Sequence, residues 1–212
     1  MIALTHNAFA NEEIVLEKKD RSYLSGGIVL NEFRSVSIPY VDSETLQFAG
    51  DNFPLTGQTY ALSMKYGTYI TENFKTEIRY STGVREDTID EMLDVNINYA
   101  FNWYIGGTHP ITDYLGAYAL VGVSFYDADV KQKETRRIID TERGPSLRLI
   151  RPSPSEIDKD LFGTKFSMSW MLGLDYKLSD QWYLEFEYGR LLKDTSSNIK
   201  VYQAGTHLRY EF

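Results

Sequence analysis

A chain of 212 residues is enough for one domain, and its net charge of -8 argues against a nucleic-acid partner. The sequence has no run of the roughly 18 or more apolar residues that a transmembrane helix needs, which excludes a helical membrane protein but not a sheet whose alternating strands average out in hydropathy. Cysteine is absent, which removes disulfides, thiolate metal sites and cysteine nucleophiles, while 16 tyrosines supply the apolar body and polar tip that suit a membrane–water interface.

Met1-Ile2-Ala3-Leu4 is apolar, and Ala8-Phe9-Ala10 fits the small-x-small pattern that precedes a signal-peptidase cut, so residues 1–10 read as the remnant of a signal peptide. Residues 11–21 follow as an N-terminal arm. From 22 onward, period-two alternation predicts strands over roughly 22–34, 57–70, 74–83, 93–103, 113–127, 163–178, 181–192 and 198–212. In 74–83, Phe74, Thr76, Ile78 and Tyr80 oppose Lys75, Glu77, Arg79 and Ser81. In 93–103 every odd position from Leu93 to Trp103 is apolar or aromatic, which predicts one apolar face for the whole strand. Over 113–127 both faces are apolar or small, and Gly116 and Gly122 share the predicted inner face with Tyr118. In 181–192, Trp182, Leu184, Phe186 and Tyr188 oppose Tyr183, Glu185, Glu187 and Gly189. In the last strand Tyr202, Ala204, Leu208, Tyr210 and Phe212 oppose Gln203, Gly205, His207, Arg209 and Glu211.

The connections alternate in length. Thr71 to Asn73, Gly106 to Thr112 and Ser179-Asp180 are short, whereas 35–56 and 128–162 are long. Short turns at one end and longer loops at the other predict an all-β, closed, eight-stranded antiparallel up-and-down transmembrane β-barrel over 22–212, with both termini on the short-turn side. Hydrocarbon requires every backbone polar group to be paired, so a spanning sheet must close. Eight strands leave an interior just wide enough for side chains to fill.

Three features set the apolar face outward. The polar face carries charges of both signs, among them Lys65, Lys75, Glu77, Arg79, Asp94, Asp175, Lys177, Glu185, Glu187, Arg209 and Glu211, which can pair inside a narrow lumen. Aromatics on the apolar face, including Tyr66, Phe74, Phe101, Trp103, Tyr176 and Trp182, fall toward the short-turn end and predict a girdle there. Phe212 is in phase with that face.

The run His207-Leu208-Arg209-Tyr210-Glu211-Phe212 resembles the C-terminal strand of bacterial outer-membrane proteins, and Leu172 to Tyr188 resembles the penultimate hairpin of the OmpA-like family of small eight-stranded barrels. The resemblance implies a bacterial outer-membrane protein with periplasmic termini, whose Tyr210 and Phe212 form the signal read by the barrel-assembly machinery. Outer-membrane lipid and lipopolysaccharide are the surroundings it implies.

No catalytic, cofactor or metal site is legible, and the chain is not expected to be an enzyme. His109 falls in a predicted turn, and His207, on the luminal face, has no serine two residues on, as the His–Ser pair of lipid A deacylases would require. Lys75, Glu77, Arg79, Glu185, Glu187, His207, Arg209 and Glu211 form the expected luminal polar network. In the 128–162 loop, Arg136, Arg137, Arg143, Arg148 and Arg151 are candidates for contact with lipopolysaccharide phosphates or an external partner, since guanidinium binds phosphate bidentately. Two segments there, Arg136 to Asp140 and Ser146 to Ile150, suggest a hairpin beyond the membrane. The expected function is a structural or interaction protein with a side-chain-filled lumen. The alternatives are a narrow pore for ions or small solutes and, third, a lipid-modifying enzyme.

Overall fold

Period-two alternation becomes a wall with two unlike faces in the computed structural model, which describes residues 21–36, 40–42, 48–50, 55–85, 87–89, 93–132, 135–141, 144–152, 165–193 and 200–212. The expected signal remnant and nearly all of the N-terminal arm lie outside these residues. Eight long strands carry the fold: β1 (Ser22–Val36), β2 (Leu55–Thr71), β3 (Phe74–Arg85), β4 (Leu93–Pro110), β5 (Leu115–Gln132), β6 (Lys165–Lys177), β7 (Trp182–Lys193) and β8 (Lys200–Glu211). Each pairs antiparallel with the next, and β8 pairs with β1 from Tyr23↔Glu211 to Arg34↔Lys200, so the sheet closes without an edge. Ser22 and Phe212 complete the seam by exchanging backbone hydrogen bonds of 3.0 and 2.9 Å.

At the turn end the connections are 72–73, 111–114 and 178–181. Thr112 and Ser179 fix two of them by accepting backbone N–H bonds from Leu115 and Trp182 at 3.0 and 3.3 Å. In the third turn the Lys177 ammonium donates to Asp180 at 2.8 Å and holds that carboxyl below its ordinary range. β4 runs further than the alternation suggested. It reaches Pro110, opposite Gly116, and puts the exposed His109 in the strand opposite Ala117 rather than in a turn. Gly106 reads as a turn residue in sequence, yet it sits where the backbone of β5 comes so close that a Cβ would strike Ala119 O.

At the loop end the chain builds a second, four-stranded sheet in the order Phe48–Gly50, Tyr40–Asp42, Gly144–Pro152, Thr135–Thr141. It joins the β1–β2 connection to the β5–β6 connection through Ile150↔Asp42, and it contains the hairpin, with Arg148 in register opposite Arg137.

The outer face is apolar. Leu24, Ile28, Leu62, Met64, Ile78, Val121, Leu172, Leu174, Phe186 and Leu208 are all exposed there. The aromatics do not gather at one end alone. A second girdle runs laterally through Tyr80↔Phe101, Phe101↔Phe125 and Phe125↔Phe166 and continues with Tyr188 stacked on Tyr202 at 5.9 Å. Phe101 belongs to this upper row and Trp103 stands two residues from it in mid-strand, so the turn-end girdle is carried by aromatics at the strand ends, Phe74, Tyr176 and Trp182.

One strand does not keep a single apolar face. β4 has a bulge between Ile97 and Tyr99, where Asn98 is the additional residue against Asp127 and Ala128 of β5. Its amide donates to Asp127 Oδ2 at 2.9 Å, and its carbonyl accepts from Thr82 Oγ1 at 3.1 Å. Below the bulge Tyr99, Phe101 and Trp103 face outward; above it Val95 and Ile97 are buried inside. An additional residue shifts the phase by one, and a shift of one exchanges the two faces.

Candidate functional site

The inward face of the turn-end half is built from charge. Two-residue steps along β2, β3, β7 and β8 deliver Lys65, then Lys75, Glu77 and Arg79, then Glu185 and Glu187, then His207, Arg209 and Glu211, and every one of them is buried. Strands four apart stand opposite each other in an eight-stranded barrel. Arg79 of β3 therefore meets Glu187 of β7 across the lumen, Nη1 to Oε1 at 2.8 Å. Its remaining donors go to Glu77, Nε at 2.6 Å and Nη2 in closer contact. Lys65 donates to Glu185 at 3.0 Å and to Glu187 at 2.8 Å. Arg209 donates to Glu185 at 2.8 Å and to Asp175 at 2.9 Å, and it pairs with Glu211 at 3.2 Å.

The charges at this level balance. Lys65, Lys75, Arg79 and Arg209, with Arg21 at 3.7 Å from Glu211, stand against Glu77, Asp175, Glu185, Glu187 and Glu211. A buried ion costs several kcal/mol unless paired and hydrogen-bonded, so this compensation is what permits so many charges in one place. The ring of His207 lies beside the network, with Nδ1 3.5 Å from Glu187 Oε1 and no hydrogen bond to either ring nitrogen among the described residues.

Tyrosines tie the ions to the wall in two matching constructions. In one, Tyr23 of β1, Gly67 of β2 and Glu77 of β3 stand in a single lateral row, and the Tyr23 hydroxyl donates over the glycine to Glu77 at 2.5 Å. In the other, Tyr118 of β5, Gly173 of β6 and Glu187 of β7 repeat the arrangement, with a bond of 3.1 Å. The two rows are four strands apart, on opposite sides of the barrel. A Cβ on either glycine would overlap the tyrosine ring that covers it. The Lys75 ammonium lies between the constructions, 3.8 Å from the Tyr118 ring centroid and 5.3 Å from that of Tyr23, which is cation–π distance. Tyr69 donates to Glu211 at 2.7 Å. Alternation alone marks Tyr23 and Tyr69 only through their parity with Ser25 and Lys65. Their partners lie 54 and 142 residues away in the chain and are set by strand register.

The other predicted residues lie apart from this cluster. Tyr210 and Phe212 face outward beside the seam, with Tyr210 5.0 Å from Trp182 and 6.1 Å from Phe212 between ring centroids. Arg136, Arg137, Arg148 and Arg151 lie in the loop-end sheet, and Arg143 is outside the described residues. Among the described residues no group of three or more His, Asp or Glu is arranged to hold a metal ion. An apolar groove of about 910 Å³ runs down the outer wall over Gly107, Ala117 and Ala119 between Phe74 and Leu172, where apolar lining is what hydrocarbon requires.

Solved structures of similar shape include outer-membrane barrels. OprG from Pseudomonas aeruginosa aligns with 92% of this chain and 97% of its own at 11% identity and a TM-score of 0.52. Ail from Yersinia pestis aligns with 91% and 98% at 14% identity and a TM-score of 0.49. The outer membrane protease OmpT from Escherichia coli aligns with 94% and 99% at 12% identity and a TM-score of 0.46. No curated protein matches the sequence. The outer membrane protein beta-barrel domain matches residues 2–212. A closed eight-stranded wall with an apolar exterior, two aromatic girdles and this match along the chain make the protein a member of the outer membrane β-barrel domain family, resident in the bacterial outer membrane.

Proposed function

We propose that this protein is a non-enzymatic outer-membrane barrel whose lumen is closed by ion pairs and whose working surface is its loop end. The observation that carries the reading is the Arg79–Glu187 pair across the lumen, embedded in a balanced set of buried charges. Paired charges that touch from opposite walls obstruct the lumen at their level, which supports the closed reading. Purified protein in planar bilayers is expected to show no steady conductance. Stable single channels from the unaltered protein would replace this reading with that of a narrow pore.

The termini then face the periplasm and the loops the exterior, as short turns and long loops are distributed in this class. Tyr210 and Phe212, outward beside the β1–β8 seam, suit recognition by the barrel-assembly machinery as the last strand docks. At the loop end, Arg137 and Arg148 are register partners on neighbouring strands of the hairpin, and two residues able to bind phosphate at one level of a sheet suit an anionic surface. That supports contact with lipopolysaccharide phosphates, to which Arg136, Arg143 and Arg151 would add. Arg137→Gln with Arg148→Gln is expected to weaken binding of purified lipopolysaccharide and to flatten its salt dependence. Unchanged binding and salt dependence would remove these arginines from the contact.

A further inference from the structure

The inward face changes chemistry twice between the turns and the loops. Along β8 from the turn end, its residues are Glu211, Arg209, His207, Gly205, Gln203 and Val201; along β1 they are Tyr23, Ser25, Gly27, Val29, Asn31 and Phe33. Along β8 charge comes first, an uncharged polar group second and an apolar group last; on β1 Asn31 and Phe33 stand beside Gln203 and Val201 in the same order, with Val29 one step nearer the turns. In the middle belt, Gln203 Nε2 donates to Asn31 Oδ1 at 2.9 Å. Other groups of the belt have no such partner. Thr59 Oγ1, Ser81 Oγ and both polar atoms of the Asn102 amide make no hydrogen bond among the described residues, and these side chains are at most 2% exposed.

Above the belt the lumen is lined mainly by apolar groups, with the Tyr126 hydroxyl buried among them and without a hydrogen bond among the described residues. Phe33 of β1 and Tyr126 of β5, on opposite walls, bring their rings to 6.1 Å between centroids, with the planes at 69°. Val95, Ile97, Leu191, Leu192 and Val201 pack around them and are buried. The bulge at Asn98 is what turns Val95 and Ile97 inward to join this layer. Below the belt lie the ion pairs. Orphaned buried hydroxyls and amides take water when protein offers them nothing. An apolar constriction excludes water by dewetting, whereas an ionic one blocks by contact, so the two layers close the lumen by different means.

We propose that the lumen is closed by two seals in series, an ionic one toward the turns and an apolar aromatic one toward the loops, and that the polar belt between them is a chamber holding water. This rests on the closed-lumen reading and adds that neither seal alone accounts for closure. The water serves the belt as a ligand, supplying partners to Ser81, Asn102 and Thr59.

The natural chain has no cysteine, so Ser81→Cys places a single thiol in the chamber. In detergent both mouths are open to a small charged methanethiosulfonate reagent, and folding is checked by heat-modifiable gel mobility. The Ser81→Cys protein is expected to stay unmodified while folded. It is expected to lose that protection when Phe33→Ala and Tyr126→Ala open the upper seal. The same loss is expected when Arg79→Ala and Glu187→Ala open the lower one, with Arg79→Gln and Glu187→Gln as the substitute pair if the alanine pair does not fold. In planar bilayers each singly opened protein is expected to be silent and the protein with both seals opened to form stable channels. Modification of the folded Ser81→Cys protein with both seals intact would overturn the closed-lumen reading and this inference together. Conductance from a singly opened protein, protection that survives opening either seal, or silence of the folded, doubly opened protein would each overturn the two seals while leaving closure intact.

Discussion

Glu187→Ala is expected to lower the unfolding free energy of the barrel by about 3–5 kcal/mol, the range seen when one member of a buried ion pair is removed and its partner is left charged. Three groups lose an acceptor at once: the Arg79 guanidinium, the Lys65 ammonium and the Tyr118 hydroxyl. Lys65 keeps Glu185 at 3.0 Å, so the damage centres on Arg79, whose remaining partner is Glu77. Removing both ends should therefore cost less than the sum of the parts. With Arg79→Ala added, the Glu187→Ala protein is expected to regain a substantial part of the loss, since no desolvated charge remains without a counter-ion. Urea unfolding in lipid vesicles followed by tryptophan fluorescence measures all corners of the cycle. A loss within about 0.5 kcal/mol, the size typical of a surface change, would mean that water reaches Arg79 and that the pair is not desolvated.

Gly173→Ala is expected to destabilise more than Tyr118→Phe, although it adds one methyl group and the other removes a hydroxyl. The added Cβ overlaps the Tyr118 ring, so the ring must lift off the wall. Overpacking of this kind costs about 1–3 kcal/mol. Lifting the ring also breaks the bond to Glu187 and moves the face that the Lys75 ammonium rests on. Tyr118→Phe forfeits the hydrogen bond alone, about 1.5–3 kcal/mol for a bond to a charged group. Gly67→Ala should repeat the effect through Tyr23 and Glu77 on the opposite wall. Gly26→Ala supplies the contrast, because no atom lies within 4 Å of a Cβ there, and alanine restricts the unfolded chain. It is expected to be neutral or slightly stabilising. Equal losses at Gly26 and Gly173 would show that strand glycine as such, not the seat it makes for tyrosine, sets the stability.

Much of the architecture was legible because a barrel wall is a repeated local rule. Alternation in 74–83 or 181–192 reports a surface between two media, and a closed sheet follows from the need to pair every backbone group in hydrocarbon. What the rule assigns is a side for each residue, not a partner. Glu77 and Glu187 share a parity, yet only the stagger of the strands brings Arg79 between them. Tyr23 and Tyr69 carry no local mark of their roles for the same reason. The alternation also misled where it continued without interruption. From Leu93 to Trp103 the apolar positions never change parity, and the reversal of faces at Asn98 leaves no trace in that pattern, because the solvents on the two sides exchange at the same height as the phase. Gly106-Gly107 misled in the opposite direction, since close approach of a neighbouring strand and a tight turn both select glycine.

The bulge also acts as a ruler. On β4 the outward side chains are apolar from Tyr99 to Ile105, with Gly107 and the exposed His109 between these and the turn, and on β5 the outward positions become Asp127 and Asp129 above Phe125. At about 3.3 Å per residue and a tilt near 40°, the stretch from Tyr99 to Pro110 spans roughly 25–28 Å along the membrane normal. That matches the short apolar band of outer-membrane barrels, thinner than an average bilayer. The strand itself runs six residues further, to Leu93. A single inserted asparagine thus sets the hydrophobic thickness of the protein independently of strand length, so that barrel height above the bilayer can change while the match to the bilayer is kept.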